Sequence, residues 1–385
     1  MNQTSVLLMA QLAVYYLKRL HLGQEKSTIL YLIDYIMPYP EGGAGICGIR
    51  EANYLAKKRY NVVVIVSQRP IDQKTVLDKK TFNNSIKVIS IQDIDLLDNI
   101  DIIIANHISY AHFAAIQKKK HSCLLIFRKH IDYSKKVSCA DKLNISTSNL
   151  FECHKRFSEV DSLKLEEELT VHSDYIFDVD EENGSDIKVI HVPPLIIKNR
   201  QCYSARKLNT ILIGGRLKDP IKGIKTIKTI IANLTKQNSN FELTCLGSLD
   251  RRYHDYFKEL LDERFIYHDW TDFKKLKQHF LNNSIFLTSP VYEPYGMMLV
   301  ESILNGCVPI STFEGVYKKI CPEIELLEPL RSRKMKNEYA LSQIIARLLL
   351  SEENIKSIAS LFSKDLTKYI AKTKFIDKSL KDILQ

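Results

Sequence analysis

The sequence predicts an α/β protein made of two doubly wound domains, each with a parallel sheet. Three observations carry this reading. β-rich runs alternate with helical runs over most of the 385 residues, the order that lays helices on both faces of a parallel sheet. Each half begins with a strand-like run that leads to a glycine pair, Gly42-Gly43 and Gly214-Gly215. Between the halves, Val192-Pro-Pro-Leu195 and a polar, basic stretch read as a linker.

In chain order, short apolar β-branched runs place strands at Ile29–Ile36, Asn61–Val66, Ser85–Ile91, Asp101–Ala105, Cys123–Phe127, Tyr175–Val179 and Lys188–Val192. A second series follows at Thr210–Ile213, Glu242–Leu246, Phe265–His268, Ile285–Thr288 and Val308–Ser311. The expected divisions are a helical extension (1–27), a first Rossmann-like domain (28–195), a linker (196–209), a second Rossmann-like domain (210–365) and a last helix (366–385) packing back toward the first domain. Two such sheets facing each other would hold ligand at the carboxyl ends of their strands.

Composition narrows the class. With 45% hydrophobic and 26% charged residues, the chain is neither disordered nor collagen-like. Its longest apolar stretch, Ser5 to Leu17, is interrupted by Gln11 and too short for a bilayer core of about 30 Å. Lys18 and Arg19 follow it instead of preceding it, unlike a signal peptide. As a helix it would gather Thr4, Gln11, Tyr15 and Lys18 on one narrow polar face, which suits either packing on the protein body or lying in a membrane interface. The eight cysteines form no CxxC pair and no zinc spacing, so free thiols in the cytoplasm are expected.

The net charge is +10. Residues 105–145 hold eight cations, Lys118, Lys119, Lys120, Arg128, Lys129, Lys135, Lys136 and Lys142, against Asp132 and Asp141. This is either a solvated basic face or a patch for an anionic partner such as a membrane surface. It lacks the aromatic interleaving of a nucleic-acid platform, and no nucleic acid is expected.

The chemistry concentrates in residues 284–310. A buried strand ends at Ser289-Pro290, a loop carries Glu293-Pro294-Tyr295-Gly296, and a helix begins near Met297. Glu293 then sits at a strand's carboxyl end and Glu301 in the early helix. The open amides of Met297, Met298 and Leu299 can bind oxygen-rich groups with help from the helix dipole. Upstream, Ile211-Leu-Ile-Gly-Gly-Arg216 runs into a glycine turn, followed by Lys222-Gly223. Arg supplies a two-pronged fork and Lys a point charge, which suits a phosphate-rich ligand.

This order of residues closely resembles the E-x7-E signature of retaining glycosyltransferases of the GT-B fold, particularly family 4. The resemblance is strong over 210–315 and weaker before it. It implies two Rossmann-like domains facing each other across a cleft, and transfer of a sugar from a nucleotide-diphosphate sugar to a glycan or lipid-phosphate-linked acceptor, with retention. It further implies that Arg216 and Lys222 neutralise the diphosphate, Glu293 meets the donor sugar, Glu301 binds the ribose, Gly247 and Trp270 flank the base, and Gly296 belongs to the substrate-binding set. Gly42 and Gly43, within Pro38-Tyr-Pro-Glu-Gly-Gly-Ala-Gly45, resemble the family's loop over the donor phosphate. A cleft histidine of the family matches His130 first and His107 second. Met297-Met298 and the single glycine of Ser311-Thr-Phe-Glu-Gly-Val316 depart from many relatives.

No resident cofactor or metal is expected. Asp93-x-Asp95 and Asp178-x-Asp180 match a metal-binding DxD pattern outside its usual context. Polysaccharide synthesis at the inner face of the cell membrane would suit the basic segment. Two other readings stay open. Gly43-x-Gly45-x-x-Gly48 with Arg69 fits an NADP-linked oxidoreductase, and the same fold could serve as an inactive glycan-binding protein.

Overall fold

The structure, a computed structural model, describes residues 27–33, 43–66, 82–141, 159–179, 189–196, 209–237, 239–269, 273–312, 315–328, 338–373 and 375–384. Gly42, Arg69, Asp180, Trp270, nearly all of the extension 1–27 and most of the linker 196–209 lie outside the described residues. The chain divides into two compact units. One comprises Met1–Tyr133, Val160–Leu195 and Lys374–Gln385; the other comprises Ser134–Glu159 and Ile196–Thr373.

The first unit is built on a seven-stranded sheet: β1 (Thr28–Ile33), β2 (Asn61–Val66), β3 (Lys87–Ile89), β4 (Ile102–Ala105), β5 (Leu124–Lys129), β6 (Tyr175–Asp178) and β7 (Val189–His191). Their spatial order is β3-β2-β1-β4-β5-β6-β7 and every pairing is parallel. Burial on both faces explains why the central strands read as unbroken apolar runs; Ile29, Leu30, Tyr31, Leu32 and Ile33 are all solvent-free. Helix α1 (Gly43–Lys57) follows β1, and α2 (Ala111–His121) joins β4 to β5.

The second unit has strands β8 (Thr210–Arg216), β9 (Glu242–Ser248), β10 (Phe265–His268), β11 (Ile285–Thr288) and β12 (Val308–Ser311), in the order β10-β9-β8-β11-β12, again all parallel. Helix α3 (Ile224–Lys236) follows β8 and buries Ile224, Ile227, Ile230, Ile231 and Leu234, a helical spacing that covers one sheet face. Helix α4 (Met297–Leu304) follows β11.

The expected last helix, 366–385, is divided differently. Helix α5 (Glu352–Lys372) runs through position 365 without interruption and ends at Thr373. A separate helix, α6 (Ile376–Leu384), places Ile376, Leu380, Ile383 and Leu384 in the core of the first unit with Ile29, Tyr31 and Val62. No Gly or Pro interrupts 352–372, so nothing in that stretch stops the helix earlier.

Candidate functional site

Each sheet reverses its strand order once, between β1 and β4 in the first unit and between β8 and β11 in the second. Such switch points leave a crevice at the carboxyl strand ends, where the following loops diverge. Among the described residues, Gly43 and His107 follow β1 and β4, Arg216 ends β8, Lys222 follows it and Glu293 follows β11, while His130 follows β5 and Gly247 lies in β9.

In the second unit, the loop after β8 and the loop after β11 are fastened together. Asp219, buried, accepts a hydrogen bond from the Ile221 amide at 3.2 Å and opens a short 3-10 turn, Pro220–Lys222. Gly223 then turns left-handed at φ +69°, and a Cβ there would lie 1.7 Å from the Ser289 carbonyl oxygen. Only glycine permits that approach. Beside it, the Val291 amide donates to the Ile221 carbonyl at 2.8 Å. This junction sets Lys222 Nζ 2.5 Å from Glu293 Oε2, with both side chains 24% exposed. The other oxygen, Oε1, accepts from the Gly296 amide at 3.3 Å. Glu293 therefore holds a cation on one side and the entrance of α4 on the other.

Gly296 precedes α4 at φ +83°, and no side chain caps this helix. The first intrahelical bond runs from the Val300 amide to the Gly296 carbonyl, which leaves the amides of Met297, Met298 and Leu299 ahead of it. Met298 lies over the glycine pair: a Cβ on Gly214 would come within 3.0 Å of its Cε. Glycine is also required at Gly247, where φ is +104° and a Cβ would sit 2.4 Å from the Gly215 carbonyl oxygen. Tyr267 Oη donates to the Gly247 carbonyl at 3.0 Å. The ends of β8 and β9 thus form a floor without side chains at Gly214, Gly215 and Gly247, with Arg216 at the rim. Glu301 is four residues after Met297, on the same helix face. A surface groove of about 590 Å³, lined in part by Ile324, Leu326, Arg347 and Leu350, contains none of these residues.

In the first unit, His130 follows β5 and His107 follows β4. His130 Nε2 is 2.6 Å from Asn106 Oδ1, and Asn106 Nδ2 donates to the Ala44 carbonyl at 2.9 Å. Loss of hydration, then the nearby Arg128 cation and His107, hold the His130 imidazole well below the ordinary histidine range. His107 also caps a 3-10 turn, its Nδ1 accepting from the Ser109 amide at 3.2 Å. Gly43 and Gly45 lie in the first turn of α1. Gly48, one turn on, packs against Asn106 and Ile33. Asn106 carries no signal of its own in the sequence, since its partners come from three separate segments.

Among the described residues, which exclude Lys142, the basic segment is not a continuous cationic surface. Arg128 is fully buried against Glu51. Lys118 pairs with Asp174, Lys120 with Asp95, and Lys129 with Asp132 and Glu166, while Lys136 is buried. The first acidic pattern is structural too: Asp93 closes a capping box on the Ser90 amide, and Asp95 holds Lys120. Among the described residues, no group of three or more His, Cys, Asp or Glu gathers as a metal cage, and no helix is long and apolar enough to cross a membrane.

The family model described as glycosyl transferases group 1 matches residues 198–358, which include the whole second-unit site. An uncharacterized 41.2 kDa protein in the cps region of Klebsiella pneumoniae is 31% identical over 114 residues, 29% of each chain. The chain therefore spans under a third of that relative's length. Among solved structures, Anabaena HepE in complex with UDP and glucose aligns over 92% of this chain and 97% of its own, at 16% identity and a TM-score of 0.63. TarM of S. aureus aligns over 93% and 98%, at 8% identity and a TM-score of 0.68. WaaG, a glycosyltransferase involved in lipopolysaccharide biosynthesis, aligns over 92% and 97%, at 12% identity and a TM-score of 0.61. At these identities the likeness is one of fold. Residues 198–358 match the glycosyl transferases group 1 model, and the chain that carries them has the GT-B fold shared by these structures.

Proposed function

We propose that this protein transfers a sugar from a nucleoside-diphosphate donor to a glycan or lipid-linked acceptor, with retention at the anomeric carbon. The observation that carries the reading is the Lys222–Glu293–Gly296 arrangement at the switch point of the second sheet, inside the matched domain.

The chemistry follows from charge. As the sugar–phosphate bond breaks, negative charge grows on the departing diphosphate, and pre-placed cations and amides lower the barrier. Lys222 and Arg216 supply the cations, and the amides of Met297, Met298 and Leu299 supply helix-end donors. The glycine floor admits phosphates or a ribose close to the backbone. Glu293 meets hydroxyls of the donor sugar with its remaining lone pairs, and Glu301 those of the ribose. Gly43 in the first unit closes on the donor phosphate and His130 meets the donor sugar. In the retaining step, the acceptor oxygen bonds to the anomeric carbon on the face the phosphate leaves, and the departing phosphate oxygen takes the acceptor's proton. No resident metal or cofactor takes part. Trapping a covalent glycosyl-enzyme would contradict this path.

A nucleotide-sugar donor is supported by HepE, whose structures hold UDP, glucose and UDP-glucose. A role in cell-envelope polysaccharide synthesis, in the cytoplasm beside the inner face of the membrane, is supported by WaaG and by the cps-region relative. A thermal-shift panel of UDP, GDP, ADP and their common sugars tests the donor reading. One nucleotide and its sugar should stabilise the protein, and a transfer assay should release that nucleotide in the presence of acceptor. Stabilisation by NADP instead would favour an oxidoreductase.

A further inference from the structure

We propose that Asn106 is a positioning residue that fixes His130 in the Nε2–H tautomer, leaving Nδ1 as the ring's acceptor nitrogen. The inference deepens the proposed function and rests on it for one point, that His130 meets the donor sugar.

Hydrogen-bond logic fixes the orientations. A carbonyl oxygen only accepts, so the atom 2.9 Å from the Ala44 carbonyl must be the amide nitrogen of Asn106. That fixes the amide's orientation and turns its oxygen to His130 Nε2 at 2.6 Å, which must then carry a proton. Asn106 is 2% exposed, and its own amide donates to the Leu32 carbonyl at 3.0 Å, so it is anchored to the end of β1. The space it occupies exists because position 48 is glycine; a Cβ there would lie 2.8 Å from Nδ2. Through its backbone amide and its side chain, Asn106 thereby ties together β1, the first turn of α1 and the histidine after β5.

The charged and titratable groups acting on His130 are Arg128, on the strand that precedes it and paired with Glu51, and His107 after β4. Both disfavour a second proton. An imidazolium would offer two donors and suit a phosphate. A neutral ring with Nε2 occupied offers one lone pair, at Nδ1, and so accepts from a hydroxyl. Asn106 thus selects a sugar hydroxyl over an anion as the partner of His130.

Long-range 1H–15N NMR of the histidine side chains in the full chain tests this. The wild type should show His130 with a protonated Nε2, a bare Nδ1 and a midpoint below the ordinary value of about 6.5. Asn106→Asp places a carboxylate beside the ring and should raise that midpoint by about one to three pH units, with an unchanged circular dichroism spectrum as the control for folding. Asn106→Ala should mix the two tautomers. A wild-type ring protonated at Nδ1, or a midpoint that Asn106→Asp leaves unmoved, overturns the proposal. Should Asn106→Asp fail to fold, the wild-type tautomer alone decides. Adding the nucleotide-sugar found by thermal shift should move the His130 nitrogens. The expected tautomer with no response to any donor would uphold Asn106 as positioning residue and refute His130 as a donor contact.

Discussion

Arg128 and Glu51 form a two-pronged ion pair in which neither side chain is exposed, with Nη2 2.7 Å from Oε1 and Nε 3.1 Å from Oε2. Tyr31 Oη donates to the same carboxylate at 2.5 Å and Cys47 Sγ at 3.1 Å, while Arg128 Nη1 donates to the carbonyls of Phe177 and Val192. The pair bolts α1 to β5. Burial first, and Glu51 second, push the Tyr31 and Cys47 pKa values up, so both stay neutral donors. Removing one partner leaves a bare charge in a dry core. Glu51→Ala should therefore lower the stability of the first unit by about 3–5 kcal/mol, read as a shifted urea midpoint. A loss below about 1 kcal/mol would contradict the reading of a closed, fully paired network.

Gly223→Ala should break the second-unit site from a distance. The added methyl meets the Ser289 carbonyl, and the left-handed backbone adds strain of about 1–2 kcal/mol. The two loops must separate, which parts Lys222 from Glu293. Donor binding should be lost, with a drop in melting temperature. Unchanged donor affinity would show that the loop junction does not set the site.

Glu293→Gln separates function from folding. The Lys222–Glu293 pair is partly exposed, and such pairs contribute up to about 1 kcal/mol. The melting temperature should barely move while turnover falls by about 100-fold or more, because a neutral amide holds the Lys222 ammonium more weakly than a carboxylate does. Denaturation and initial-rate measurements on the same preparation check both halves.

His130 gives a pH signature. Its folded pKa lies below the unfolded value of about 6.5, so between the two the unfolded chain binds more protons than the native one. Stability then rises with pH across that interval and is lost as pH falls from about 6.5 toward the folded value. His130→Asn should flatten this limb of the stability–pH curve. An identical slope in the variant would mean that His130 does not supply it.

Much of this is legible in the sequence where the signal is local. The strands Phe265–His268, Ile285–Thr288 and Val308–Ser311 have the expected bounds because short apolar runs end at clear breakers. The strand expected to stop at Ile213 instead continues through Gly214 and Gly215 to Arg216, pairing Gly215 with Gly247. A glycine pair reads as a turn, yet here it keeps a strand edge bare. Lys222 and Glu293 are readable as residue types in order, but their 2.5 Å contact depends on a separation of 71 positions. The burial of Arg128 is hidden for the same reason. A basic run looks solvated until the acid that buries one member, Glu51, is found 77 residues away.

Calorimetric titration of nucleoside diphosphates into the wild type and Lys222→Ala tests the central claim most directly. One diphosphate should bind the wild type, and Lys222→Ala should weaken it by about tenfold or more, the loss of a charge-assisted contact of about 1.5–3 kcal/mol. Equal affinity in the two proteins, or no binding of any nucleoside diphosphate to the wild type, would contradict it.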